Sequence, residues 1–126
     1  MDRHATQSAH NRSRVLTNAV QEVAKRFDLG STDLKDIIGV SQSTASRLLN
    51  GHYEIPDGSK SWELSAMLVR IYRSLSSMVG GDDELARTWM HSPNRAFGGR
   101  NPAEEIKRIE GLARACEYLD AYRARI

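Results

Sequence analysis

Apolar residues recur at three- and four-residue steps along most of the chain, which is the spacing that predicts amphipathic helices. In the first such stretch the apolar positions are Val15, Leu16, Ala19, Val20, Val23, Ala24 and Phe27. This helix is predicted to end near residues 28–30, with Gly30 as the stop. Residues 1–11 are polar and lack the spacing, so they are predicted to form a mobile arm.

Two short helices joined by a tight turn are predicted to follow. Ser31 is expected to cap the first of them, and Gly39 is expected to end it. Ser41 is expected to cap the second, which ends at Asn50-Gly51. The inward-facing positions of the pair are Leu34, Ile37, Ile38, Ala45, Leu48 and Leu49.

The second half of the chain is predicted to contain one long helix and several shorter ones. The long helix covers about residues 60–78, after a turn-rich connection, and its apolar positions indicate that more than one side is covered. A short helix is predicted over residues 82–90. A last helix or helix pair begins at Asn101-Pro102 and is expected to bend at Gly111. Since no strand pattern of normal length is found, the predicted fold class is all-α.

The charge of the chain is nearly balanced, with 18 Lys and Arg against 16 Asp and Glu, which gives a formal net charge of +2. Residues 1–60 carry 8 basic and 7 acidic side chains, and residues 61–126 carry 10 and 9, so neither half is a polycation. Any binding of DNA therefore depends on a few well-placed contacts rather than on bulk charge.

Several other classes of function find no support in the 126 residues. No apolar run is long enough for a membrane span and no secretory signal is found, so a cytoplasmic location is expected. No catalytic set and no His and Cys spacing typical of a metal site can be argued, so neither an enzyme nor a cofactor is predicted. Cys116 is predicted to be a small core residue. It shares an apolar stripe with Ile109, Leu112, Ala113 and Leu119.

Residues 31–51 match a helix-turn-helix in spacing and in chemistry. Gly39 permits the tight turn, and the small Ala45 lets the second helix pack closely on the first. This arrangement leaves polar side chains outside at the start of the second helix, the end that enters the major groove of DNA in this motif. The predicted DNA-binding residues are Ser31 and Thr32 for phosphate, Gln42, Ser43, Thr44 and Arg47 for bases, and Asn50 and His52 for the backbone.

Other interpretations of this pattern remain open. Two short helices with a glycine turn also occur in bundles that never meet DNA. The chain could be a stand-alone helix-turn-helix repressor whose C-terminal helices only form a dimer. It could also be an interaction module with a decayed helix-turn-helix.

Both halves of the chain contain residues typical of known groups. Residues 12–79 are similar to the Xre/Cro-type helix-turn-helix. A second set of residues follows in the C-terminal part: Trp89-Met90, Pro93-Asn94, Phe97-Gly98-Gly99, Asn101-Pro102, Ile106, Glu110-Gly111 and Leu119. With this set, residues 80–126 resemble the toxin-binding domain of Xre/MbcA/ParS-type antitoxins. Met90 stands where that domain usually has Leu, and Phe97 where it usually has an aliphatic residue; both changes are tolerable in volume.

The resemblance implies a type II antitoxin, built as a helix-turn-helix bundle followed by a small C-terminal toxin-binding domain. The implied partners are a RES-domain toxin, of a kind that consumes NAD or transfers ADP-ribose, and operator DNA, bound as a homodimer or a larger toxin–antitoxin complex. In such a family the C-terminal region plugs the NAD cleft of the toxin, which would be residues 115–126 here. The implied toxin-binding side chains are Tyr118, Tyr122, Arg123, Arg125 and Ile126.

Overall fold

The computed structural model describes residues 3–124, which form seven α-helices and one 3-10 helix and contain no β-strand. The α-helices are α1 (Arg3–Arg26), α2 (Ser31–Ile38), α3 (Gln42–Leu49), α4 (Lys60–Met78), α5 (Asp83–Met90), α6 (Pro102–Glu105) and α7 (Ile109–Arg123), and the 3-10 helix is Arg95–Phe97. The predicted all-α class is confirmed. No helix within residues 3–124 combines the length and the apolar character needed to cross a membrane.

The first helix begins at Arg3, whereas the sequence pattern placed residues 1–11 in an arm outside it. The side chains of this added segment are exposed or half-buried, so helix formation here needs no apolar spacing. Adding turns to an existing helix costs little, and Ala5, Gln7 and Ala9 favour the helix. The packed part of α1 therefore extends outward as a polar helix.

The junction between α1 and α2 differs from the prediction in two ways. The left-handed residue after α1 is Asp28, with φ of 55°, so Gly30 is not the stop. Gly30 is instead the extended N-cap of α2, and Ser31 is the first helical residue rather than its cap. The Gly30 N–H donates to the Asp33 carboxylate at 3.1 Å, which is the half of a capping box that runs from the helix back to its N-cap. The N-cap itself provides no side-chain hydrogen bond to α2, so the capping role assigned to Ser31 is left unfilled. Asp tolerates the left-handed region, and this allowed the turn without a glycine.

The turn between α2 and α3 has the predicted geometry. Gly39 lies in the left-handed region with φ of 69°. Ser41 caps α3, because its Oγ accepts the Thr44 N–H at 3.1 Å. Ala45 and Leu48 are buried against the rest of the bundle as predicted, and Leu49 is half-buried.

Helix α4 has the predicted bounds and lies at the centre of the fold. On one side it meets α1 and α2, where Leu64 lies against the turn at Gly39 and the Tyr72 ring packs edge-on against Phe27 at 5.4 Å. On another side it meets α7, where the Cys116 thiol approaches the Met67 carbonyl at 3.5 Å. The predicted coverage on more than one side is confirmed.

The last part of the chain is a helix pair, and its break lies before Gly111. The short α6 ends at Glu105, and α7 starts after Arg108, so the predicted bend at Gly111 is wrong. Gly111 lies inside α7 and is buried, and a Cβ on it would lie 2.0 Å from the Glu105 carbonyl oxygen. The glycine is needed because α6 and α7 pack backbone to backbone.

Two apolar residues assigned to buried stripes are exposed. Val15 is 65% exposed and Ile109 is 72% exposed. Cys116, which was predicted to share its stripe with Ile109, is buried in the core as expected. Helical periodicity identifies a face, but the face is buried only where another element covers it.

Candidate functional site

The exposed side of α3 carries three of the predicted base-contacting side chains. Gln42, Ser43 and Arg47 are exposed on this side, which we call the reading face, and Thr44 beside them is half-buried. They are presented together because Ala45 and Leu48 fasten the opposite side of α3 to the core. The Gln21 amide also donates to the Leu48 carbonyl at 2.8 Å and holds the end of α3 against α1.

The start of the reading face is joined to the start of α2 by one hydrogen bond. The Gln42 amide donates to the Ser31 hydroxyl at 2.6 Å. A glutamine pairs with adenine through both its amide nitrogen and its oxygen. In the free protein the nitrogen is therefore oriented by Ser31, and pairing with a base requires this bond to be exchanged.

Arg47 is held by a residue that sequence reasoning did not identify. Its guanidinium lies 5.6 Å from the centre of the Tyr53 ring, a cation–π distance, and donates to the Thr44 hydroxyl at 3.4 Å. Tyr53 follows α3 in the connection to α4, where the Ile55 N–H donates to Thr17 at 2.9 Å. Among the described residues no carboxylate forms an ion pair with Arg47, so its charge is available for a ligand.

The predicted phosphate and backbone contacts lie on both sides of the reading face. Ser31 and Thr32 form the first turn of α2, where free backbone N–H groups attract anions. Asn50 and His52 are exposed just beyond the end of α3, and the His52 N–H donates to the Arg47 carbonyl at 2.7 Å. All eight predicted DNA-binding residues thus lie in or directly next to the α2 and α3 pair.

The second half of the chain supplies a cation beside this region. Lys107 lies 2.9 Å from the Asp33 carboxylate, in the first turn of α2, and 3.1 Å from Glu104. Burial opposes the ionisation of Asp33, but hydrogen bonds from Lys107 and the Gly30 N–H hold its pKa below the usual range. Lys107 therefore offsets the negative charge of Asp33 at the start of α2.

Further contacts fasten the second half of the chain to α1. Asp83 at the start of α5 pairs with Arg26 at 2.7 Å and accepts the Tyr72 hydroxyl at 2.9 Å. The His91 Nε2 donates to the Phe27 carbonyl at 2.7 Å, because a carbonyl oxygen can only accept. The two halves consequently share packed and hydrogen-bonded surfaces.

The two tyrosines of α7 have different surroundings. Tyr118 is half-buried, stacks on Trp89 at 6.5 Å and meets Phe97 edge-on at 5.7 Å. Tyr122 lies one turn further, 6.3 Å from the Tyr118 ring, and is 47% exposed. Tyr118 therefore supports the domain itself, whereas Tyr122 is presented outward.

The anchored part of α7 ends at Asp120. Arg70 and the Ser74 hydroxyl, both on α4, bind the Asp120 carboxylate, and Leu119 beside it is buried. Ala115 is also buried, so the predicted plug of residues 115–126 begins with residues that belong to the core of the domain. The exposed end of α7 comprises Ala121, Tyr122 and Arg123. The predicted residues Arg125 and Ile126 lie outside the described residues.

Glu105, at the end of α6, joins the preceding loop to α7 through two ion pairs. It is buried, pairs with Arg100 at 2.6 Å and with Arg114 at 3.1 Å. The hydrogen bond from Arg100, opposed by burial and assisted by the charge of Arg114, holds the pKa of Glu105 below its usual range. Sequence reasoning did not identify Glu105, since its two partners lie in different segments, Arg100 in the loop before α6 and Arg114 in α7.

The chain matches two family models, in the order of its two halves. The antitoxin Xre-like helix-turn-helix domain matches residues 7–70, which is about half of the chain. The antitoxin Xre/MbcA/ParS C-terminal toxin-binding domain matches residues 74–125. Among curated proteins, none matches the chain.

Proposed function

Because the chain belongs to the Xre-like antitoxin family and carries both a helix-turn-helix and a toxin-binding domain, we propose that it neutralises a RES-domain toxin and represses its own operon. That the chain is an antitoxin of a toxin–antitoxin system follows from the two family matches. The observation that carries the proposal is the presence of two outward-facing sites on one chain, the reading face of α3 and the exposed end of α7.

In the proposed DNA complex, the start of α3 enters the major groove. Gln42 pairs with adenine and Arg47 with guanine, which are the pairings that their donor and acceptor patterns favour. Ser31 and Thr32 hold a phosphate at the start of α2, and Asn50 and His52 contact the backbone at the other end. The net charge of +2 suits this arrangement, because two copies of a short reading helix each need only a few phosphate contacts.

Replacing Arg47 by alanine tests the reading face. We expect operator affinity to fall by roughly 5- to 150-fold, the equivalent of about 1–3 kcal/mol for one well-placed base contact. Affinity for DNA of random sequence should fall far less. The measurement is fluorescence anisotropy of a labelled duplex from the region upstream of the gene, titrated at several salt concentrations.

Lys25→Ala is the matched control for Arg47→Ala. Lys25 is exposed in the last turn of α1, so this variant removes the same charge from outside the reading face. An equal loss of operator affinity in both variants would show that only bulk charge matters. If the Arg47→Ala variant binds the operator as tightly as the wild type, the assignment of Arg47 to a base contact is wrong.

In the proposed toxin complex, the exposed end of α7 enters the NAD cleft. The Tyr122 ring can occupy space shaped for a base, and Arg123 and Arg125 offer guanidinium groups to a site that binds pyrophosphate. Trp89, Phe97 and Tyr118 form an aromatic cluster. The Tyr118 ring of this cluster holds the Tyr122 ring in place. In this proposal the antitoxin inhibits the toxin only by occupying its NAD cleft.

The kinetics of toxin inhibition distinguish binding in the NAD cleft from binding elsewhere on the toxin. When the full chain is added to a purified RES-domain toxin, the apparent inhibition constant should rise in proportion to NAD concentration, because plug and substrate compete for one cleft. Inhibition that does not depend on NAD would place the antitoxin elsewhere on the toxin. No inhibition together with intact operator binding would favour a stand-alone repressor whose C-terminal helices only form a dimer.

A further inference from the structure

Two buried hydroxyl groups on α1 hold the connection between α3 and α4, which covers residues 50–59. Ser13 and Thr17 are buried although both are polar. The Thr17 Oγ1 accepts the Ile55 N–H at 2.9 Å, and the Ser13 hydroxyl donates to the Ile55 carbonyl. Both backbone groups of Ile55 are thus bound by side chains of α1, and its own side chain is fully buried. A connection held in this way has a fixed backbone, in contrast to most surface loops.

This fixed connection carries Tyr53, two residues before Ile55. The Tyr53 ring is half-buried and packs against the core. The Cζ atom of Arg47 lies over this ring, 5.6 Å from its centre. The neighbouring His52 N–H donates to the Arg47 carbonyl at 2.7 Å. The same short segment therefore contacts both the side chain and the backbone of Arg47.

The contact with the Tyr53 ring leaves most hydrogen-bond donors of Arg47 for a base. A guanidinium has five N–H donors, and a cation–π contact uses its charge rather than these donors. One of them is directed to the Thr44 hydroxyl at 3.4 Å. Guanine is recognised by two parallel donors, which bind its O6 and N7 atoms. An arginine over a ring can therefore keep that contact while it pairs with guanine.

We propose that Tyr53 is a positioning residue for base recognition, which holds the Arg47 guanidinium in place before DNA binds. The proposal rests on the proposed operator binding, and Tyr53 lies outside the predicted DNA-binding set. An arginine on a helix surface has many rotamers, and their loss on binding costs free energy. A ring that already restricts the guanidinium lowers this cost. Tyr53 acts through Arg47, so its hydroxyl group is not needed for DNA binding.

Replacing Tyr53 by leucine and by phenylalanine tests the proposal. Tyr53→Leu removes the ring but keeps an apolar side chain, and operator affinity should fall about three- to tenfold, because an exposed cation–π contact and the ordering of one side chain are both modest effects. Tyr53→Phe keeps the ring and should bind the operator like the wild type. The measurement is fluorescence anisotropy with a labelled duplex from the region upstream of the gene.

A double-mutant cycle with Arg47→Ala separates positioning from a general structural role. If Tyr53 acts through Arg47, adding Tyr53→Leu to Arg47→Ala should lower operator affinity no further. Affinity for DNA of random sequence should be the same in Tyr53→Leu as in the wild type. An equal loss of operator affinity from Tyr53→Leu in both backgrounds would overturn the proposal.

The contact between Arg26 and Tyr72 provides a matched control. The Cζ atom of Arg26 lies over the Tyr72 ring, 5.8 Å from its centre, so Tyr72→Leu removes a contact of the same kind away from the reading face. Circular dichroism checks that each variant keeps the helix content of the wild type. The folded Tyr72→Leu variant should bind the operator like the wild type. A loss equal to that of Tyr53→Leu would show that the ring matters only for packing and would overturn the proposal.

Nuclear magnetic resonance of the free chain measures the positioning directly. The order parameter of the Arg47 Nε–H bond should be high in the wild type and in Tyr53→Phe, and should fall in Tyr53→Leu. An Arg47 side chain that is equally ordered in all three would overturn the proposal.

Operator titrations separate the failure of this proposal from the failure of the proposed function. If the wild type binds no operator, the proposed function fails and the positioning role fails with it. If the wild type binds its operator and Tyr53→Leu binds equally tightly, only the positioning role is wrong. If Tyr53→Phe loses as much affinity as Tyr53→Leu, the Tyr53 hydroxyl is itself the DNA contact, and the positioning role is again wrong.

Discussion

Gly111→Ala is expected to destabilise the chain by about 3 kcal/mol, at the upper end of the cost of over-packing. A Cβ at this position would lie 2.0 Å from the Glu105 carbonyl oxygen and 2.8 Å from its carbonyl carbon. Both are backbone atoms, so no side-chain rotation relieves the contact. In an exposed helix interior the same change would stabilise by about 1 kcal/mol, so the sign of the effect tests the packing of α6 on α7.

The effect of Gly111→Ala should be confined to one half of the chain at first. Moving α6 away from α7 disturbs Glu105 and its bonds to Arg100 and Arg114. We therefore expect toxin neutralisation to be lost before operator binding, which depends on α3. Thermal unfolding followed by circular dichroism should show a midpoint lower by roughly 10 °C.

Gly30→Ala is the control for this prediction. Gly30 has an ordinary φ of −85° and no atom within 4 Å of an added Cβ. Its replacement should cost about 1 kcal/mol or less, as for an alanine at an N-cap. A Gly111→Ala variant as stable as the wild type would show that α6 and α7 are not in backbone contact.

Deleting residues 122–126 is expected to abolish neutralisation of the toxin while operator binding is retained. The deletion removes Tyr122 and the predicted arginines, and residues of this type dominate the binding energy of many interfaces. We expect affinity for the toxin to fall at least about 100-fold, which corresponds to about 3 kcal/mol. Growth of cells that express both proteins and titration of the purified toxin both measure this loss.

The structure determines where this deletion must begin. Removing residues from Tyr118 onward would take away a ring of the aromatic cluster, the buried Leu119 and the Asp120 carboxylate that Arg70 binds. A loss of neutralisation would then reflect a damaged domain. A cut after Ala121 leaves these contacts intact.

A control on the same helix separates the exposed end of α7 from the rest of its surface. Ile109→Ala changes an exposed apolar residue at the other end of α7 and should leave neutralisation unchanged. Tyr122→Ala alone should weaken toxin binding by roughly 30-fold, the effect of one strong interface residue. Full neutralisation by the chain lacking residues 122–126 would mean that the toxin binds another part of the domain.

The local signals in the sequence were enough for the helix-turn-helix. Gly39 and the Ser41 cap each act through atoms within a few residues, so the turn and the start of α3 follow from residue type alone. The bounds of α4 follow in the same way, from the Ser59 cap at its start and the glycines after its end. The outward position of Gln42 and Arg47 required only the helical period and the small residue at Ala45.

The tertiary structure decided which of these faces is covered and what each apolar or aromatic residue touches. Val15 and Ile109 have the spacing of buried residues yet are exposed, whereas Tyr118 is enclosed by Trp89 and Phe97. The need for glycine at position 111 comes from a carbonyl six residues earlier, brought close only when α6 and α7 pack. A sequence period fixes the direction of a side chain relative to its own helix. The partner on that side is fixed by contacts between segments far apart in the chain, which no local pattern contains.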